Sequence, residues 1–455
     1  MNTCLPEDWI ESTFGGLNQF ASQTVDPSEH SDKEFELYSV PSFPTDNPER
    51  LLGGAIGSTK QSVAPGDVLV CKINPRVNRV WQVKPATNLK QIASSEWIGF
   101  RAPEMEPRFF LHYFRSPHFR ELIRRNVTGV GGSLTRAQPK NVATFAVPVA
   151  PAREQSRIAD QLDAMLARVN NCNDRFDGIP AILKRFRQAV LSVAMASQLA
   201  DDMQETDQPF KSAKASVASV AQVGTGSTPL RSNLKFYANS GMPWVTSAAT
   251  SQALVTGANE YVTPEAIAAH RLKVYPPGTL LVAMYGEGKT RGQVSELGIH
   301  ATINQACAAI VVDEAKALKA YVKLALQGNY LVMRELAEGG NQPNLNLSKI
   351  KEFEIPLPAL AEQTEIVRRI DSLFATADRL EARCTAAQAQ VARLTPLLLA
   401  KAFRGELVPQ DPADEPASEL LARLCQRRAE NSTGPSKRRG AKPGHARVAR
   451  SASSA

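Results

Sequence analysis

The residues best suited to do chemistry occur in short runs, and most lack the spacing that their chemistry demands. Gly286-Glu287-Gly288-Lys289-Thr290 follows an apolar strand-like run and ends in the Lys-Thr pair of a phosphate-binding loop. Its glycines stand too close together for that loop, and no good helix follows. Asn74-Pro75-Arg76 is not the Asn-Pro-Pro-aromatic element with which a DNA methyltransferase holds a flipped base. Asp67 and Lys72 flank a strand as nuclease metal-site residues would, but no spaced Glu-x-Lys accompanies them, and Asp67 reads as a turn residue in Pro65-Gly66-Asp67. The six histidines include no helical pair at metal-ligand spacing. The cysteines (Cys4, Cys71, Cys172, Cys307, Cys384, Cys425) show no paired spacing of a zinc or redox motif. Nothing marks a nucleophile turn. The expectation is a chain that catalyses nothing itself and holds no metal or cofactor of its own.

Charge offers a different chemistry. The net charge is +8, and residues 421–455 alone carry nine Lys or Arg against one Glu. Residues 1–66 are acidic, with three basic and ten acidic side chains, whereas 67–140 hold thirteen basic and five acidic ones. A basic block of this kind can face a phosphate backbone. With 43% hydrophobic and 22% charged residues the composition is that of a soluble globular protein. No apolar run approaches bilayer length, and MNTCLPEDWIES lacks a secretory pattern, so a cytoplasmic location is expected.

The elements that would position these residues come in two copies. Gly131-Gly132 through Asp163 aligns without a gap on Gly339-Gly340 through Asp371, a displacement of 208 residues that matches Phe145 to Phe353, Pro148 to Pro356, Glu154 to Glu362, Gln155 to Gln363 and Ile158 to Ile366. PGDVLV at 65–70 resembles PGTLLV at 277–282 at a displacement of 212, so the intervening segments differ by four residues. DVLVCKI, TLLVAMY and ACAAIVV read as strands between Gly, Pro and Asn punctuation. One helix is expected over LHYFRSPHFRELIRRN and one over LKAYVKLALQGNYLVMRELAE, each leading into a Gly-Gly loop.

Long helices follow each copy. Ile158, Leu162, Met165, Val169, Cys172, Phe176, Ile179, Leu183, Phe186, Val190 and Val193 alternate in steps of four and three, as do Ile366, Ile370, Leu373, Ala377, Leu380, Cys384, Ala387, Val391, Leu394 and Leu398. That spacing keeps an apolar seam toward a partner helix, and each helix is the other's obvious partner. Pro180 and Pro396 predict a bend, or a break after Asp177-Gly178. Two like repeats packing through like surfaces imply a pseudo-twofold relation and antiparallel helices. At about 1.5 Å per residue these helices would span roughly 50–60 Å.

The run GGNQPNLNLSKIKEFEIPLPALAEQTEIVRRIDSLF, with LLLAKAFRGELVP after it, resembles the specificity subunit of type I restriction-modification enzymes. FAVPVAPAREQSRIADQL and KRFRQAVLSVA are a looser first copy, and GTGSTPLRSNLKFYANSGMPWVTSA at 224–248 and LPEDWIESTFGGL at 5–17 resemble the openings of that family's recognition domains. The likeness runs to about residue 425. It implies an α+β chain with two globular target recognition domains, at 1–150 and 210–358, separated by two antiparallel coiled-coil spacer helices at 151–200 and 359–407. A C-terminal extension at 408–455 ends in a basic tail expected to be disordered. It also implies that each domain reads one half of a split double-stranded DNA target. The implied partners are two modification subunits carrying S-adenosylmethionine and two restriction subunits using ATP and Mg. Ser197-Gln198 stands where the second copy has Gly405-Glu406, a departure from the pattern.

Base reading needs directed donors and acceptors on loops that can enter a groove. In the first domain these are Lys72, Asn74, Arg76, Asn78 and Arg79, then Ser133, Thr135, Arg136, Gln138 and Lys140. In the second they are Tyr285, Glu287, Lys289 and Arg291, then Asn341, Gln342, Asn344 and Lys349. The rival class is a coiled-coil adaptor whose globular ends bind proteins; it explains the heptads but not the basic block or the polar loops.

Overall fold

The computed structural model describes residues 5–85, 87–128, 135–195, 213–286, 290–336 and 344–432. The chain forms two compact units, one of residues 1–173 with 389–455 and the other of 174–388. Two long helices, Ala152–Met195 and Leu360–Ala402, cross the boundary, so each unit owns the start of one helix and the end of the other. The fold is the expected α+β one. Among the described residues no helix is long and apolar enough to cross a membrane.

In the first unit, Val68–Cys71 is the middle strand of a three-stranded antiparallel sheet, between Val80–Gln82 and Trp97–Phe100. Because successive side chains of a strand point to opposite faces, Val68 and Val70 enter one core and Leu69 and Cys71 another. The first core is strongly aromatic: Phe14, Phe100, Phe109, Phe110, Phe114 and Phe119 pack edge to face or tilted. In the second unit Leu280–Ala283 does the same in a five-stranded sheet, with Leu280 and Val282 in one core and Leu281 in the other. Both strands start from the same turn, in which Gly66 and Gly278 take φ of +85° and +88°, a left-handed backbone that disfavours any side chain. Asp67, after the first turn, is buried and holds Arg101 through two hydrogen bonds of 2.6 Å. That pairing occupies both carboxylate oxygens and accounts for the residue structurally.

The matched Glu-Gln pairs explain why the frame repeats. Gln155 accepts from the amide of Glu106 (3.0 Å) and donates to the carbonyl of Ala150 (2.8 Å). Gln363 accepts from the amide of Leu318 (2.8 Å) and donates to the carbonyl of Pro358 (2.8 Å). Each fully buried glutamine thus ties three elements together: the last strand of its unit, the start of the long helix and the start of a shorter helix that follows the sheet. A buried main-chain donor and acceptor would otherwise go unpaired there.

The helix expected over residues 111–126 is instead two, Pro107–Arg115 and Pro117–Arg125, divided at Ser116, whose ψ of 153° is the extended backbone that a following proline enforces. The helix expected over 318–338 likewise divides at Asn329 into Lys319–Gly328 and Tyr330–Glu335. In contrast, no break follows Asp177-Gly178: the first long helix continues through Pro180, and the second through Pro396. A proline removes only its own N–H from the ladder, and the flanking turns stay paired.

Within the second unit the two long helices run antiparallel. Arg187 donates to Asp378 (2.6 Å) and Glu381 (2.8 Å), and Gln388, further along the second helix, donates to Asp177, further back on the first (2.8 Å). Within the first unit Ile158 and Leu162 share a core with Leu399 and Ala402, which is the same sense. The expected seam is only partly closed. Leu183, Val190, Ile366, Ile370 and Ala377 are buried, but Phe186, Val193, Leu373 and Leu380 remain exposed, because two helices cover only one side of each other.

The second long helix stops at a Schellman motif, with Glu406 N–H to Lys401 O and Gly405 N–H to Ala402 O, both 3.1 Å, and Gly405 at φ +71°. A Cβ on Gly405 would also lie 2.2 Å from the Pro6 ring. The C-terminal extension then returns to the first unit as a helix, Ala417–Ser432, whose Ala417, Leu420 and Leu424 complete the aromatic core. Arg157 to Asp414 (2.6 Å) and Arg427 to Glu104 fasten it. Residues 433–455, most of the basic tail, lie outside the described residues, as do Ser197-Gln198.

One joint is found in the first unit alone among the described residues. His112, buried on the helix Pro107–Arg115, meets Asp163 of the long helix at 2.7 Å, and Arg108 bridges Glu106, Asp160 and Asp163. Burial lowers the His112 pKa below its ordinary 6.5. The unfolded chain therefore binds the extra proton first, and stability falls as pH drops through 6.5 toward the folded pKa. Melting of the first unit should shift down between neutral pH and pH about 5, and His112→Leu should flatten that shift; an unchanged shift in the variant would remove His112 as its cause.

Candidate nucleic-acid interface

The two runs of candidate residues in the first unit meet. Ala137 donates its amide to the carbonyl of Lys72 (2.9 Å), Asn74 donates to the carbonyl of Thr135 (3.0 Å), and Ile73 bridges to Arg136. The loop after Val68–Cys71 and the segment leading to the last strand therefore form one surface. The second unit repeats the tie: Leu345 donates to the carbonyl of Met284 (3.1 Å), at positions displaced by 208 and 212 from Ala137 and Lys72. The frame that joins the two loops is duplicated, while the side chains on it differ.

In the first unit, the loop turns through Asn74 and Asn78, both left-handed at φ +45° and +51°, conformations that asparagine tolerates. Between them Pro75–Val77 makes a single 3-10 turn that leaves Arg76 exposed at the tip. Arg120 grips that tip through the Arg76 carbonyl (2.6 and 3.1 Å). Asn78 faces inward: its Nδ2 donates to the carbonyl of Phe114 (3.1 Å), so it positions the turn. Arg79 is half-buried, with Nη1 3.5 Å from the carbonyl of Ile73, and Lys72 is half-buried with its main chain bonded to Glu96 and Ala137. Arg136, Gln138 and Lys140 are exposed, and Arg136 pairs with Glu96 at 3.2 Å. Thr135 is buried, and Ser133 lies outside the described residues.

In the second unit Tyr285 is exposed and Arg291 half-buried, on either side of Glu287 and Lys289, which lie outside the described residues together with Asn341 and Gln342. The phosphate-loop candidate 286–290 falls on the same stretch. Asn344 is half-buried beside Leu345. Lys349 reaches back to the carbonyl of Leu336 (2.6 Å), which binds the short helix Leu347–Glu352 to the end of Tyr330–Glu335. This unit also carries a feature the residue types did not reveal. Arg231 lies over the rings of Tyr237 and Trp244, 4.9 Å from each centroid, and pairs with Glu260. Arg231 stands in the 224–248 stretch, but its ring partners and its acid are brought together only by the sheet that joins Tyr237–Ala238, Glu260–Val262 and Met242–Val245. Arg120 was equally hidden, since its contact with Arg76 spans 44 residues.

In the first unit the arrangement offers main-chain-braced, mostly cationic and amide side chains on two joined loops, suited to base edges and phosphates.

Residues 211–387 match the family model described as the type I restriction modification DNA specificity domain. The StySPI specificity subunit of Salmonella potsdam is 25% identical over 386 residues, covering 81% of this chain and 82% of that one. The EcoKI specificity subunit of Escherichia coli K12 is 27% identical over 399 residues, with 81% and 82% covered. The HsdS subunit from Thermoanaerobacter tengcongensis shares the fold at a TM-score of 0.61 and 21% identity, over 89% of this chain and 98% of that one. A chain from a type I system solved for its complex assembly and conformational transition does so at a TM-score of 0.68 and 21% identity, over 89% and 100%. The duplicated frame, the Glu-Gln clamps and these likenesses agree: over most of its length the chain is similar to the specificity subunits of type I restriction-modification enzymes, and it shares their fold.

Proposed function

We propose that the chain is the sequence-specific DNA recognition subunit of a type I restriction-modification complex, each unit reading one half of a bipartite target. The observation that carries this reading is the repeated tie between the two loops, Ala137 to Lys72 and Leu345 to Met284, on a frame whose loop residues differ. Equal scaffolds with unequal side chains are what two different half-sites require. Lys72, Arg76, Arg79, Arg136, Gln138 and Lys140 are the reading set of the first unit; Tyr285, Arg291 and Asn344 belong to that of the second. The chain supplies specificity and leaves catalysis to its partners, two modification subunits with S-adenosylmethionine and two restriction subunits with ATP and Mg. A chromosomal DNA target accords with the cytoplasmic location expected from the sequence. Footprinting of the complex should show two protected segments with an unread gap between them. A single protected segment, or protection indifferent to sequence, contradicts the reading.

The exposed part of the helical seam supports the docking of modification subunits. In the second unit Leu373 and Leu380 are 37% and 46% exposed, one heptad apart on a helix whose Ile366, Ile370 and Ala377 are buried. Leu373→Glu with Leu380→Glu should cut co-purification of the modification subunit by roughly tenfold or more, since charged residues at an apolar contact cost several kcal/mol. Melting of the chain itself should stay unchanged. Undiminished co-purification would place the docking surface elsewhere.

A further inference from the structure

Beside the joined loops of the first unit lies a groove of about 400 Å³ that none of the sequence motifs marks. Lys60 and Lys72 line it with the hydroxyls of Ser22, Thr24 and Thr59, and no carboxylate is among its lining residues. Its walls are fixed. Gln61 is buried and donates to the carbonyls of Ser94 and Trp97, both at 3.0 Å, and the Phe20 ring lies so close over Gly99 that a Cβ there would come within 2.6 Å of it. Lys60 sits on Lys60–Ser62, the strand paired with Thr24–Val25 at the groove's rim. Among the described residues its ammonium is held by neutral oxygens alone, the Ser58 carbonyl at 2.7 Å and hydroxyl at 2.6 Å. Among the described residues neither Lys60 nor Lys72 has a carboxylate within ion-pair distance. Burial lowers the pKa of Lys60, as expected for a cation with no counter-charge.

A fixed, partly desolvated site with two cations, hydroxyl donors and no acid selects an anion, and its position next to Lys72 puts that anion on the path of the strand being read. We propose that this groove seats a backbone phosphate of the DNA at the edge of the first unit's half-site, with Lys60 as its cation and the Thr59 and Ser22 hydroxyls as donors. The proposal rests on the reading of the chain as a DNA recognition subunit. It makes Lys60 a positioning contact, which fixes register without carrying sequence information.

The test measures equilibrium binding by the full chain in its methyltransferase complex. The duplexes are the cognate one and one whose first half-site is scrambled, each over a series of salt concentrations. Lys60→Gln should weaken both duplexes by a similar factor, about three- to tenfold at low salt, and lower the slope of log K against log salt by about one. Lys60→Arg should restore both, and the methylated motif should be the same in all variants. An unaltered slope and affinity in Lys60→Gln would overturn the groove as a phosphate seat while leaving the function standing. A changed motif would also overturn it, by making Lys60 a base reader. If the wild-type complex itself fails to prefer the cognate duplex, the reading of the function falls and the groove with it.

Discussion

Replacing Gln363 with leucine should destabilise the second unit by about 2–4 kcal/mol, the cost of leaving a buried amide and a buried carbonyl unpaired. The amide is that of Leu318, at the head of Lys319–Gly328, and the carbonyl is that of Pro358, where the last strand turns into the long helix. Leucine fits the volume but offers neither a donor nor an acceptor. Hydrogen exchange should therefore quicken across Lys319–Gly328 and the first turns of Leu360–Ala402, while amides around Val68–Cys71 in the first unit keep their protection. Gln155→Leu should reverse the pattern, because it removes the same two bonds from the first unit. Equal loss of protection in both units from either single change would show that the clamps do not act within one unit each.

The second large effect concerns function. Arg76→Ala with Arg79→Ala removes two guanidinium groups from the braced tip of the first unit's loop, and binding should fall by roughly tenfold or more. Protection should weaken at one half-site and persist at the other. The loop itself should survive, because Pro75, the Asn78 bond to Phe114 and the Arg120 grip on the main chain all remain. Equal loss at both half-sites would end the division of labour between the units.

The repeat was readable because its matched residues are needed wherever the frame is built: a turn glycine with left-handed φ, a glutamine between three elements, a strand buried on both faces. Their partners were not readable, since Gln155 meets Glu106 and Gln363 meets Leu318 only after the unit has folded. Local rules explain some differences and not others. The division at Ser116 follows from Pro117, a short-range effect, whereas Pro180 leaves the long helix intact because it removes only its own N–H while the flanking turns stay paired. Of the candidate site residues, residue type alone could not separate Arg76, which is exposed, from Asn78 and Lys349, whose side chains are bonded to main-chain carbonyls within their own units. The C-terminal helix carried a sequence signal, Leu420 and Leu424 four residues apart after Pro416, yet its place in the first unit's core depends on Trp9, Phe109 and Arg157 far away in the chain.

Under the proposed function, two unlike readers on one duplicated frame define a split DNA target. Mapping methylated adenines across the genome of the source cell, with and without this gene, tests it most directly. Loss of a single bipartite methylated motif, two short sequences at a fixed separation, is the result expected; an unchanged methylation map would rule out a split target read by this chain.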